Sequence, residues 1–171
     1  MRGMTEPTLE VLESYLNEKI ESLVEVLGKL LELPEHGFGF DLKLVHVEAM
    51  KRLNYEYRGK DVPTDVLSFS SPEVFSLQGN YGEIVICYEV ASQHARERGL
   101  SLEMEAVILV VHGALHLLGY DHEKSEKDLK DMADIESLVL KQWCPASWVS
   151  ESGGRCLTGL IERVKSDSEE T

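Results

Sequence analysis

The segment AVILVVHGALHLL, residues 106–118, constrains this chain most. It is apolar on nearly every side, so as a helix it must be covered on all of them. Such a helix becomes the centre of a domain, because other elements have to pack around it. It is too short to supply the roughly 20 apolar residues of a membrane span. It also carries His112 and His116, four positions and therefore about one helical turn apart, with both rings on one face. Gly119 can end the helix and turn the chain, since glycine takes left-handed backbone angles without penalty. His122 follows at once, completing the spacing H-x3-H-x2-G-x2-H.

The elements around this helix are readable from periodicity. Residues 8–31 place Val11, Leu12, Tyr15, Leu16, Ile20, Leu23, Leu27 and Leu30 at helical spacing, and Pro34 stops that helix. In HGFGFDLKLVHV, Leu42, Leu44 and His46 alternate with Lys43 and Val45, as in a strand. EAMKRLNYEY predicts a short helix ending near Arg58-Gly59. DVPTD is a turn, VLSFS a strand and SPEVFSLQGNYG a loop. EIVICY puts Ile84 and Ile86 on one face and Val85 and Cys87 on the other, which suits a central strand covered on both sides. A helix over 89–98 can end at Gly99, and Ser101 can cap the buried helix. A final helix covers about 124–143. This order of helix, strands, helices predicts a single α+β domain, and 171 residues suffice for its core. From Pro145 the sequence mixes turn formers with a weak amphipathic piece. Residues 1–144 thus read as one domain and 145–171 as a C-terminal extension, partly flexible toward its acidic end.

Charge narrows the function. With 17 basic and 31 acidic residues, the net charge of −14 argues against a general nucleic-acid coat. Acidic residues concentrate in the first helix, in EKSEKDLKDMADIE and in the tail, whereas Lys51, Arg52, Arg58 and Lys60 lie close together. A local phosphate-binding face therefore remains possible. Cys87, Cys144 and Cys156 are odd in number and scattered, which predicts reduced thiols rather than a disulfide framework. The N-terminus lacks a basic region followed by an apolar stretch, so a cytoplasmic protein without a membrane partner is expected.

Three neutral imidazoles with no fourth protein ligand nearby fit a catalytic zinc site, one ion per chain, with water in the open position. Nickel or copper would also accept His112, His116 and His122. The alternative is three ordinary histidines at a helix end, but buried imidazoles without partners are costly. Zinc peptidases with this histidine spacing carry a glutamate base directly after the first histidine. Here that position is Gly113, which argues against peptide or amide hydrolysis but not against attack on phosphate, where positioning and charge neutralisation carry much of the catalysis. Arg58 can grip two phosphate oxygens at once. Lys60 can add a second positive charge. A solvated basic turn is the competing reading for both.

LNYEYRGKDVPTDVLSFS, then GEIVICYEVA, then HGALHLLGYDH, with Met132 and Glu136 downstream, closely resembles the YbeY family of bacterial endoribonucleases, or rRNA maturation factors. The resemblance runs from about Leu53 to Glu136. It implies a small mixed sheet under several helices, with a metal site at the end of the buried helix. It implies zinc on His112, His116 and His122, a functional arginine at Arg58, and metal-dependent cleavage of single-stranded RNA. The implied role is 16S rRNA 3′-end maturation and ribosome quality control, with the small ribosomal subunit and its assembly factors as partners. A non-catalytic assembly module with a structural metal is the rival reading. The family commonly has Gly-Asp-Ile where this chain has Gly82-Glu83-Ile84, so Glu83 keeps the carboxylate at longer reach and is a candidate for supporting catalysis or RNA binding.

Other residues have two readings each. Asp121 can orient a ligand ring or fix a turn. Glu136 either supports the site by a buried hydrogen bond or sits at the helix boundary. Asp65 and Ser68 can line the cleft, while Thr64 and Asp65 can equally fix the turn after Pro63. His94 reads as packing. His46 and His36 have no motif around them.

Overall fold

The computed structural model describes residues 5–34 and 37–160. Helix α1 (Leu9–Leu31) is followed by β1 (Gly39–Val45), α2 (Val47–Arg58), β2 (Val66–Ser70), α3 (Glu73–Ser76) and β3 (Asn80–Cys87). Then come α4 (Tyr88–Arg98), α5 (Leu102–Leu117), α6 (Glu126–Trp143), α7 (Ala146–Ser152) and a single 3-10 turn over Arg155–Leu157. Caps start the helices where short polar side chains stand. Thr8, Ser101 and Ser125 accept from the backbone N–H groups of Val11, Met104 and Asp128.

The three strands form a mixed sheet in the order β1-β3-β2. β1 runs parallel to β3, pairing Leu42 with Ile84 and Leu44 with Ile86. β2 runs antiparallel to β3, pairing Val66 with Ile86 and Ser68 with Ile84. The central strand is covered on both faces, as its apolar run requires. Ile84 and Ile86 enter the main core with the stripes of α1, α5 and α6. Val85 and Cys87 join Met50 and Leu67 in a smaller cluster on the other face. Every residue of α5 from Met104 to Leu115 is buried.

Two glycines set how closely these layers approach. Gly82 has φ 147, and a Cβ there would collide with the Phe69 carbonyl of β2. A Cβ at Gly113 would sit 3.0–3.1 Å from three side-chain carbons of Ile84. Thus α5 lies directly on β3 at the level of the histidines.

The structure departs from the sequence reading at α3 and at His46. Within the stretch read as a loop, Pro72 opens the one-turn helix α3, closed by Leu77 N–H to Glu73 C=O at 3.0 Å. One turn is too short to show periodicity. His46 is not a strand residue. It occupies the N-cap of α2, where its Nδ1 lies 2.6 Å from Glu89 Oε1, while the Val47 N–H donates to Glu89 Oε2 at 3.0 Å. Glu89 of α4 therefore starts α2 one residue earlier than alternation suggests. Residues 145–160 of the C-terminal extension pack on the body: Cys156 and Leu160 enter the main core, and Ser137 Oγ donates to Leu157 C=O at 2.6 Å. The predicted flexible end of the extension and His36 lie outside the described residues.

Cys87, Cys144 and Cys156 are free and buried, and burial pushes the Cys144 thiol up to about 12. Among the described residues, no single helix is long and apolar enough to cross a membrane.

Candidate metal centre

The last two turns of α5 and the turn after it bring three imidazoles together. Ring centroids lie 4.6 Å apart for His112–His116 and 5.3 Å for each pair with His122. One nitrogen from each ring falls within 4.8 Å of the other two, a spacing that can hold a metal ion. His112 Nε2 and His116 Nε2 are 3.0 Å apart. His112 is buried, and the other two are half-buried, so the group opens to one side.

The far side of His112 is fixed by α6. Its Nδ1 lies 3.2 Å from Glu136 Oε2, and Glu136 is only 1 % exposed. Donation from Nδ1–H to that carboxylate leaves the Nε2 lone pair facing the other two rings. This is the hydrogen-bonding arrangement common behind metal-ligating histidines. The donor set therefore fits a metal that accepts neutral imidazole, with room for a further ligand from the open side. Of the two readings for Glu136, the buried hydrogen bond is the one observed. For Asp121 the hydrogen bond observed fixes the turn. Its carboxylate accepts from the Glu123 N–H at 2.9 Å, and that bond holds it below the usual carboxylate range. The turn carries the chain from Gly119, at φ 97, back to His122.

All three histidines line one cleft of about 1630 Å³. Its floor is β2, the edge strand, and residues 64–70 line it throughout. Asp65 and Ser68 therefore face the cleft as well as holding structure. Asp65 Oδ1 accepts from Val66 N–H at 2.8 Å, and Ser68 Oγ donates to the Gly113 carbonyl at 3.2 Å. Arg58 and Glu83 also line the cleft. Arg58 is exposed at the end of α2 and makes no ion pair among the described residues. Lys60, just past Gly59, is exposed but does not line the cleft wall.

His94 is not the packing residue that its place beside Ala91 and Ala95 predicts. It instead forms a second charged group along the same cleft, with its Nδ1 3.5 Å from Asp65 Oδ2. The hydrogen bond to Asp65 raises the imidazole above its ordinary value, against the opposing effect of burial. Fully buried Glu105 lies close by and receives Arg98 Nη1 at 2.8 Å. The only sequence signal for this group was the turn aspartate in DVPTD; its partners come from α4 and α5, far away in the chain.

Residues 4–144 match the family model described as Endoribonuclease YbeY. This chain belongs to the YbeY family. Among the relatives, proteins named Endoribonuclease YbeY from Thermotoga neapolitana and Aquifex aeolicus are 36 % and 40 % identical to it. The alignments cover 80 % and 73 % of this chain and 89 % and 82 % of those proteins. One from Bdellovibrio bacteriovorus is 44 % identical over 66 % of this chain and 73 % of its own length. The solution structure of a Thermotoga maritima protein superposes with a TM-score of 0.51 at 33 % identity, covering 81 % of this chain and 87 % of that one. The histidine cluster and Arg58 of this YbeY family member both lie inside the matched span, and α7 with the 3-10 turn lies beyond it.

Proposed function

We propose that this protein is a metal-dependent endoribonuclease that cleaves single-stranded RNA in the cleft above β2. One observation carries the reading: in a YbeY family chain, a three-imidazole donor set and an exposed arginine share one open cleft. Zinc, one ion per chain, is the metal proposed, held by His112, His116 and His122. When bound, it supplies Lewis-acid charge at a phosphoryl oxygen and makes water a stronger nucleophile.

The protein's own groups do the rest. Glu136 holds the His112 Nδ1 proton and so keeps Nε2 turned toward the site. Arg58 grips the phosphate and offsets negative charge that grows in the transition state. Lys60, at the rim, draws the backbone of the RNA toward the cleft. Glu83 supplies a carboxylate on the cleft wall that can accept a proton or position a water. Gly113 stands where a zinc peptidase carries its glutamate base, and a Cβ there would press on Ile84 at 3.0–3.1 Å.

The cellular role that follows is 16S rRNA 3′-end maturation and ribosome quality control in the cytoplasm, with the small ribosomal subunit and its assembly factors as partners. Residues 1–144 would form the catalytic domain and 145–171 an extension of it. The test is cleavage of single-stranded RNA by the purified protein, His116→Ala and Arg58→Ala, with bound metal measured for each. Loss of metal and activity in His116→Ala, and loss of activity with metal retained in Arg58→Ala, is the expected pattern. Equal activity in all three would instead leave a ribosome-assembly module whose metal is structural.

A further inference from the structure

Tyr57 immediately precedes Arg58 and lines the same cleft, yet it is 66 % exposed. It belongs to neither hydrophobic cluster among the described residues. Its ring meets Phe69 of β2 at a centroid distance of 4.6 Å and an interplanar angle of 54°. Phe69 is half-buried and backs onto the smaller core cluster. The pair is therefore an anchored ring carrying a presented one. An aromatic ring held from behind and open to a cleft offers a flat apolar face with little conformational freedom left to lose. Beside it stands a guanidinium suited to phosphate.

From this juxtaposition we propose that Tyr57, backed by Phe69, is a nucleobase-stacking platform that seats one base of the RNA whose phosphate Arg58 grips. The inference rests on the ribonuclease reading and deepens it. Unpaired bases stack on exposed tyrosines without regard to sequence. Bases inside a duplex are already stacked and paired and cannot reach such a ring. Tyr57 thus supplies a physical reason for cleavage of single strands in preference to duplexes, which a metal and an arginine alone do not.

The test is equilibrium binding of two probes to the metal-loaded protein. One is a short 2′-O-methyl oligoadenylate, and the other is the same backbone with abasic sugars. Wild type should bind the base-bearing strand more tightly. Tyr57→Ala should weaken that binding by roughly tenfold or more, the usual range for loss of a base stack, and should leave the abasic strand unchanged. Tyr57→Phe should match wild type, because stacking does not need the hydroxyl. Tyr57→Leu, which still covers Phe69 but lacks a flat ring, should resemble Tyr57→Ala. Unfolding temperature and metal content measured on each variant separate a stacking loss from a folding defect. The platform is overturned if Tyr57→Ala binds both strands as wild type does, or loses both equally while still folded. If wild type binds neither strand and cleaves no RNA, the ribonuclease reading fails and takes the platform with it.

Discussion

Glu136 touches the candidate metal centre through His112, so its effect should appear in metal affinity. Glu136→Gln keeps a side chain of similar size but replaces the charged acceptor, and loss of such support typically costs about 10–100-fold in metal affinity. Competition against a chromogenic chelator measures this directly. A glutamate near the edge of an amphipathic stripe reads equally well as buried or as boundary, and only the position of α6 against α5 decides which. The three histidines were legible because their spacing itself defines one face and a return turn. Tyr57 and His94 were not, since each gains its meaning from a partner on β2 or in the turn before it. For His94, the raised pKa gives a signed prediction. Its pairing with Asp65 contributes stability that is fully present below 6.5, the ordinary imidazole value, and is lost as pH rises through the raised value. The side chain is 35 % exposed, so the contribution is under about 1 kcal/mol after solvent screening. Urea unfolding of wild type and His94→Gln should show a stability gap at mildly acidic pH that closes in alkali.

At the scale of elements, the contact of α5 with β3 decides what chemistry the site can host. Gly113→Glu would install the residue that a zinc peptidase needs, but its Cβ meets Ile84 at 3.0 Å. Overpacking of this kind typically costs about 1–3 kcal/mol. The variant should melt at lower temperature and show no peptide hydrolysis; a stable, proteolytic Gly113→Glu would contradict this account. Gly82→Ala should be worse, because positive φ and the Phe69 carbonyl both oppose a side chain there. Little folded protein is expected from it. The buried helix, β2 and the alternation in β3 were all visible in the sequence, because their apolar periods are long or strict. The start of α2 at Val47 was not, since a carboxylate 42 residues away sets it.

For the whole molecule, the helices after Cys144 extend the core rather than trail from it. Cys156 and Leu160 are buried in the main cluster, and the Arg155 guanidinium donates to the carbonyls of Arg98 and Gly99 at 3.0 and 3.2 Å. Truncation after Cys144 should therefore lower the unfolding temperature by several degrees, as loss of even about 1 kcal/mol does in a chain of this size. An unchanged calorimetric transition would show that the extension is dispensable. The net charge of −14 argues against broad nucleic-acid binding. It could not show that Arg58 would stand in a cleft beside the histidines, because net charge carries no position. The most direct measurement of the central claim is RNA cleavage by chelator-stripped protein as zinc is added back in known amounts. Cleavage should be absent without metal, rise in proportion to bound zinc and level off at about one ion per chain, the occupancy of a single three-histidine site. Full cleavage by the stripped protein, or zinc binding to saturation with no cleavage, would contradict it.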